Sequence, residues 1–381
     1  MDRKKILVFI DWYLPGYKAG GPIKSVSNII SALKKEFEFY VFTRNNDLGD
    51  SNPYENIISD KWTVLSENYQ VYYASQKSIS VQNIYKIISQ TEFDILYLNG
   101  IFSFRFNILP LLILKLQKKK SKIIVSPRGM FGEGALGLKK TKKKLFISFA
   151  LIFGLFRKVT WHSSTPSEEK EIRKIFGNKA QVINALNISI PPQTDFAPKV
   201  KQKGNAKFFF LSRISRKKNL SFALEILKNV SEGEISFDVY GPVEDPGYWK
   251  ECKSIIKSLN GNIKVNYRGM LDPNFNRKIL SNYHFMFFPT LNENYGHVIF
   301  ESLSAGCPVI LSDQTPWKNL EKNKIGWEIP LDKKEIFINV IKKCILMEEF
   351  EFNDLSAHSF EFAMASANQK EVIEQNRKLF S

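Results

Sequence analysis

Pro289-Thr-Leu-Asn-Glu-Asn-Tyr-Gly-His-Val-Ile-Phe-Glu-Ser-Leu-Ser-Ala-Gly-Cys-Pro308 reads as the end of a strand, a polar turn and a helix. The apolar run Phe285–Pro289 leads into it, the helix covers Val298–Ala305, and a second apolar run, Val309–Ser312, follows. Two short buried strands joined through a helix are the repeating unit of a parallel sheet. Glu293 lies in the turn and Glu301 about one turn into the helix, so both carboxylates can point the same way. Backbone N–H groups around Gly296, His297 and Val298 open the helix and favour anionic or hydroxyl oxygens. An ionised carboxylate accepts hydrogen bonds and can engage two neighbouring hydroxyls. Such a turn can hold a sugar nucleotide, one carboxylate on the sugar and the other on the ribose. The bare spacing fits equally well an ordinary strand–turn–helix with solvated glutamates.

The same alternation extends in both directions. Towards the N-terminus, strands are expected at Lys207–Ser212, Ser236–Tyr240 and Lys264–Tyr267, with helices at Leu220–Val230, Gly247–Leu259 and Asn276–Tyr283. A further helix is expected at Lys334–Met347. Ile190–Gly204 carries three prolines without periodicity and reads as a linker. Before it the pattern recurs, with strands at Ile6–Ile10, Glu38–Thr43, Ile95–Asn99, Lys122–Ser126, Val159–Ser163 and Gln181–Ala185. In Ile23–Phe37, Val26, Ile29, Ile30 and Leu33 fall on one helical face. Thr165-Pro166, Asp245-Pro246, Asp272-Pro273 and Thr315-Pro316 each read as a helix cap, and Glu168 completes a capping box with Thr165. The expectation is an α/β chain of two tandem Rossmann-like, doubly wound domains, residues 1–190 and 205–351, with a helical segment 352–381 packing back on the first. Facing domains of this kind would hold a substrate in the cleft between them.

Composition bounds the partners. The chain has 381 residues, 44% hydrophobic and 13% aromatic, enough to build real cores. Its net charge of +17 suits nucleic acid, an anionic membrane surface or phosphorylated small molecules. Cys252, Cys307 and Cys344 are too widely spaced for a disulfide framework or a zinc site, which fits a reducing compartment. No segment supplies the ~20 apolar residues of a membrane span, and the apolar run after Met1-Asp-Arg-Lys-Lys5 is too short for a signal peptide.

Further motifs sit at the expected strand ends. Phe209-Phe-Leu-Ser-Arg213-Ile-Ser-Arg-Lys-Lys218 ends a strand in four cations, and Gly20-Gly21 follows the first strand. Fixed cations can stabilise the charge that builds on a departing diphosphate in place of a metal, and glycines let backbone approach a phosphate. An exposed charge run and a plain turn fit the same residues. No Asp-x-Asp triplet is present, and the Gly20-Gly21 loop lacks the Gly-x-Gly-x-x-Gly pattern, which counts against a nicotinamide-dinucleotide enzyme.

The spacing Glu293-x7-Glu301, with Tyr295-Gly296 inside it and Ala305-Gly306-x-Pro308-Val309 after it, resembles the signature of the retaining glycosyltransferases of family 4, which have the GT-B fold. The resemblance implies that Glu293 contacts a donor sugar, that Glu301 contacts the ribose hydroxyls, and that Arg213 and Lys218 hold the donor diphosphate, with neither cofactor nor metal. It implies donor-side positions for Gly20, Gly21, Gly241, Arg268, Gly269, Tyr295, Gly296, His297 and Val298. Ser126-Pro-Arg128-Gly-Met130 is similar to a segment of the bacterial polysaccharide branch and makes Arg128 a candidate cleft residue, where other members carry a histidine. His162, in Trp161-His162-Ser-Ser-Thr165, could face the acceptor or serve the structure.

One segment lies outside those motifs. Leu138–Lys158 joins five lysines to a mostly apolar helix and, with Lys115–Lys122, could rest on anionic lipid or could be a buried helix with a basic cap. The expectation is therefore a cytoplasmic enzyme, peripheral on the inner face of the cell membrane. It would take a nucleotide-sugar donor and a glycan or polyprenyl-diphosphate-linked acceptor. Nucleic-acid binding is the rival reading of the charge. It would need a basic, aromatic face, whereas here the charge clusters beside apolar helices. A non-catalytic basic membrane protein is a further rival, against which Glu293, Glu301, Arg213 and Lys218 speak.

Overall fold

In the computed structural model the chain divides after Ile188 and again after Ala367, so the C-terminal residues rejoin the N-terminal unit. The structure describes residues 3–132, 140–191, 195–272, 276–367 and 369–381. The first two residues of the basic segment, Leu138 and Lys139, lie outside the described residues, as does Pro273 of the third proposed cap.

The first unit holds β1 (Lys5–Phe9), β2 (Glu38–Arg44), β3 (Trp62–Ser66), β4 (Tyr69–Ala74), β5 (Ile95–Asn99), β6 (Lys122–Ser126), β7 (Thr160–Ser163) and β8 (Gln181–Asn184). They form one sheet in the order β3-β4-β2-β1-β5-β6-β7-β8. Every pairing is parallel except β3 with β4. Alternate residues feed two cores, Leu7, Phe9, Leu96 and Leu98 on one face and Ile6, Val8, Ile95 and Tyr97 on the other. This is why these strands read as continuous apolar runs. The β3–β4 hairpin was not expected. Its outer strand, Trp62–Ser66, leaves Val64 and Leu65 exposed side by side instead of alternating, and Glu67-Asn68 makes the turn to Tyr69–Ala74.

The second unit holds β9 (Asn205–Leu211), β10 (Glu234–Tyr240), β11 (Ile263–Gly269), β12 (Phe285–Phe288), β13 (Val309–Ser312) and β14 (Gly326–Ile329). Its parallel sheet runs β11-β10-β9-β12-β13-β14. Phe208, Phe209, Phe210, Phe285, Phe287 and Phe288 fill its core. In both sheets the strand order reverses once, between β1 and β5 and between β9 and β12. These are the topological switch points, where crevices open at the carboxyl ends of the strands.

The C-terminal segment expected as one piece is split. The helix Glu349–Ser366 belongs to the second unit, with Phe352 against Phe285 and the Ser356 hydroxyl donating to the Gly306 carbonyl. Only Lys370–Phe380 packs on the first, where Phe380 meets Phe37, Phe39 and Tyr97. The lysines of the segment read as a linker lie on the second unit. There Lys199 and Lys201 donate their backbone N–H groups to Asn353 and Glu349. Thr165 and Asp245 cap their helices as expected. Thr315-Pro316 starts no helix, because the chain bends there to bring the Trp317 indole under the turn after β12.

Candidate functional site

At the second unit's switch point two loops are tied together. The chain leaves β9, makes the single turn Arg216–Lys218 and enters the helix Leu220–Lys228 through Asn219, whose φ of 61° is left-handed. The Lys217 carbonyl accepts from the Leu291 backbone N–H at 2.9 Å and the Thr290 hydroxyl at 3.1 Å, and the Asn219 amide donates to the Pro289 carbonyl at 2.9 Å. Backbone pairing thus fixes the loop after β9 against the loop after β12, and the Lys218 ammonium forms an ion pair with the Glu293 carboxylate. Burial works against the charge on Glu293, but Lys218, by its charge and hydrogen bond, and Lys217, by its charge, hold the carboxyl below its ordinary value. The result is an ionised, largely buried acceptor of hydrogen bonds beside a largely buried cation.

The turn itself is braced from below. The Glu293 N–H donates to the Gln314 carbonyl at 3.0 Å. The Trp317 indole N–H donates to the Tyr295 carbonyl at 2.6 Å, and the Tyr295 hydroxyl meets that of Ser189 at 2.5 Å. The His297 ring packs edge-on to Tyr295, 4.8 Å away. Gly296 opens the helix His297–Ser304 at φ 81°, where a Cβ would come within 2.7 Å of Ile299 and 3.1 Å of Glu293. Val298 packs on the core.

The other expected groups are nearby in the fold but paired elsewhere. Arg213, at the end of β9, bridges to Glu244 at 3.1 Å, not to Glu293. Glu301 accepts from the Asn276 amide at 2.6 Å. Gly241 follows β10 where a Cβ would sit 1.9 Å from the Ser212 carbonyl oxygen, so packing alone demands glycine there. A register shift in the β10–β11 pairing lies beside Arg268, which pairs with Asp238 at 2.8 Å. Tyr283 and Asn266 also donate to that carboxylate, at 2.7 and 2.8 Å. Asp238, Tyr240, Arg268 and Tyr283 line a hollow of about 460 Å³. Gly269 turns the chain beyond it at φ 72°.

In the first unit, Gly20 opens the helix Gly21–Leu33 with φ 77° and ψ −134°, a conformation reserved for glycine, and Gly21-Pro22 starts that helix. The loop before it is pinned by Asp47, which accepts from the Tyr17 and Lys18 N–H groups at 2.8 and 3.1 Å. Arg128 follows β6 at φ 55°. Its guanidinium donates to Asn99 Oδ1 at 2.9 and 3.1 Å, to the Tyr97 hydroxyl at 2.6 Å and to Asn187 Oδ1 at 3.1 Å.

His162 is not available to an acceptor. It is fully buried on β7, and both ring nitrogens are engaged. Its Nε2–H donates to the Ala185 carbonyl at 2.8 Å, which leaves Nδ1 to accept from the Tyr97 hydroxyl at 2.8 Å. Burial and then the Arg128 charge push its pKa down to about 3, so the ring is neutral. The same tyrosine accepts from Arg128, so His162 orients the arginine through it. The Glu168 carboxylate, expected to complete a capping box, accepts instead from the Ser164 N–H and hydroxyl and from the Gly129 N–H. Asn99, Tyr97, Asn187, Glu244 and Asn276 escaped the reading of the sequence. Asn99-Gly100 had a signal, a polar residue closing an all-apolar strand before a glycine.

Residues 192–352, which include both glutamates and both paired cations, match the family model described as Glycosyl transferases group 1. No curated protein matches the chain by sequence. Among solved structures, it is similar to a sucrose-phosphate synthase from Thermosynechococcus elongatus, with TM-score 0.70, 15% identity and coverage of 99% of this chain and 98% of that one. It is similar to HepE from Anabaena, solved in complex with UDP-glucose, with TM-score 0.70, 13% identity and 98% of each chain covered. WaaG, a glycosyltransferase involved in lipopolysaccharide biosynthesis, has TM-score 0.64, 11% identity and 98% of each chain covered. The fold is GT-B.

Proposed function

We propose that the chain is a retaining glycosyltransferase. The second unit binds a nucleotide-sugar, and an acceptor hydroxyl attacks the anomeric carbon on the face from which the nucleoside diphosphate departs. The observation that carries this reading is the Lys218–Glu293 pair at the β9/β12 switch point, within the residues that match the glycosyl transferase model. Glu293 is kept ionised to accept from sugar hydroxyls. Lys218 and Arg213 would turn from their carboxylate partners to the diphosphate, whose leaving charge they stabilise without a metal. Glu301 takes the ribose, and the turn Gly296–Val298 offers N–H groups to the donor. Because HepE was solved with UDP-glucose, UDP-hexoses and UDP-N-acetylhexosamines are the first donors to try.

The acceptor side of the reading is a glycan or polyprenyl-diphosphate-linked glycan of bacterial surface polysaccharide, met at the cytoplasmic face of the membrane. It is supported by the helix Lys140–Ile152 and the residues after it, where Leu145, Ile152 and Phe153 are 72%, 78% and 68% exposed. Lys142, Lys143 and Lys144 begin that helix and Arg157-Lys158 follow it, a combination that suits an anionic lipid surface. Among the described residues no helix is long and apolar enough to cross a membrane.

The test is nucleotide release from UDP-, GDP- and CMP-sugars by the full chain, with and without EDTA, followed by NMR of the anomeric configuration. Turnover that resists EDTA, retains configuration and disappears in Glu293→Gln is expected. No binding or consumption of any nucleotide-sugar would sink the reading. Sedimentation with vesicles containing anionic lipid, but not with neutral ones, is expected, and equal recovery with both would remove the membrane surface from it.

A further inference from the structure

We infer that the first unit carries its own binding site for a phosphoryl group, built from Arg128 and Asn99 at the ends of neighbouring strands β6 and β5. It rests on the glycosyltransferase reading only for which phosphoryl group that is. β5 is one side of the first unit's switch point, and Asn99 and Ser126 are register partners, so the two residues lie where ligands of such sheets collect.

Three observations point to an anion. All four hydrogen bonds of the Arg128 guanidinium go to neutral acceptors, on Asn99, Tyr97 and Asn187. Among the described residues no carboxylate forms an ion pair with it. The nearby Glu168 is occupied by Ser164 and the Gly129 backbone. A half-buried cation held rigidly by dipoles, with no carboxylate paired to it among the described residues, is prepared for an oxyanion.

The second observation is Asn99 itself. It is 4% exposed, and because arginine only donates, its Oδ1 must face the guanidinium. Its Nδ2 is therefore a committed donor, and among the described residues it has no partner. An unmet buried donor beside this guanidinium asks for a ligand that only accepts and carries negative charge, which a phosphoryl group does.

The third is the support behind it. The Ala185 carbonyl fixes the His162 tautomer, His162 orients the Tyr97 hydroxyl, and Tyr97 accepts from Arg128. Asn187 grips the other side. The guanidinium is thus preorganised. The phosphoryl group is either the donor's diphosphate or a phosphate carried by the acceptor, and the test separates these two sources.

The experiment measures calorimetric binding of UDP, and of inorganic pyrophosphate with and without saturating UDP, to the full chain and to Asn99→Asp and Arg128→Lys. The aspartate keeps the shape of the asparagine but closes a carboxylate on Arg128, so it removes the site while leaving the melting temperature unchanged or raised. A weakening of at least about tenfold in Asn99→Asp is expected in one arm. Loss in the UDP arm names the donor diphosphate. Loss of pyrophosphate binding at saturating UDP names an acceptor phosphate. The proposal is overturned if both variants bind both probes within twofold of the unaltered chain, or if that chain binds neither probe. If it binds pyrophosphate in a manner sensitive to Asn99→Asp but never binds UDP, the nucleotide-sugar reading fails and this one stands.

Discussion

The two switch points differ in how one cation is held. At β9/β12 a lysine is buried against a carboxylate, and the neighbouring Arg213 and Arg268 also have acidic partners, Glu244 and Asp238. At β1/β5 Arg44 likewise has an acidic partner, Asp11, at 3.6 Å, but Arg128 meets only amides and a phenol. On the proposed reading a ligand must rearrange the paired charges of the first site, whereas at the second it completes a guanidinium that has no carboxylate paired to it among the described residues. Paired charges of this kind stabilise the apo fold little, because desolvation offsets the attraction. On the proposed function, their value would lie in being redirected when an anion arrives.

The sharpest way to break this comparison is at Glu293. Glu293→Gln keeps the shape and removes the charge, so sugar transfer is expected to fall by about 10²–10³-fold, the scale for deleting one preorganised electrostatic group. UDP binding should survive or tighten, because Lys218 is released to the diphosphate. Steady-state kinetics with calorimetry checks both. Full activity in Glu293→Gln would make the pair structural and erase the distinction between the two sites.

Next in size is Gly241→Ala, which tests how much of the second site is packing. A Cβ there would overlap the Ser212 carbonyl at 1.9 Å, at a backbone φ of 130°. A destabilisation of about 2–4 kcal/mol is expected from overpacking and strain together. Urea unfolding measures it. A loss of nucleotide affinity without loss of stability would instead return Gly241 to the donor.

How much of this was legible follows from where physical constraint acts on single residues. The strands were readable because burial on both faces forces unbroken apolar runs, as in Phe208–Leu211 and Ile95–Leu98. The half-exposed hairpin at β3 was not, since Val64 and Leu65, exposed side by side, break the alternation. Glu293 and Lys218 were each flagged through a local motif that resembles a family signature, but their pairing across 75 residues appears only in the fold. The Arg128 cluster draws on Tyr97, Asn99, His162 and Asn187, which only the sheet order of β5, β6 and β7 gathers. His162 was ambiguous for the same reason. Its partners sit 65 residues before it and 23 after it, so no local pattern could show that both ring nitrogens were taken.

Each unit also buries one neutral histidine, and this makes both units sensitive to acid. His162 is pushed down to about 3, by burial and then by Arg128. His284, which donates to the Val200 carbonyl and accepts from the Lys207 N–H, is pushed down to about 4 by burial and the charges of Lys201, Lys207 and Lys199. Their ordinary value is 6.5. Between 6.5 and these values the unfolded chain binds protons that the folded chain refuses, so stability is full above pH 6.5 and falls as pH is lowered. The slope is at most about 1.4 kcal/mol per pH unit for each histidine. Denaturant unfolding from pH 7.5 to 5 should show this decline, and His162→Asn, which keeps an acceptor for Tyr97, should flatten it. An unchanged slope would mean that the ring protonates in place.

The smallest expected effect on stability separates the two glycine loops. At Gly20 a Cβ would meet nothing within 4 Å, in contrast to Gly241. The cost of Gly20→Ala is therefore conformational only, about 1–3 kcal/mol for a φ of 77° with ψ of −134°. Nothing in the protein needs that space, so if glycine is there for a ligand, the methyl group should cost more in binding than in folding. The informative quantity is the ratio of the two losses. A rise in the donor or acceptor KM of more than tenfold at nearly unchanged melting temperature would place a ligand against the loop. Loss of stability alone would leave Gly20 as a helix start and nothing more.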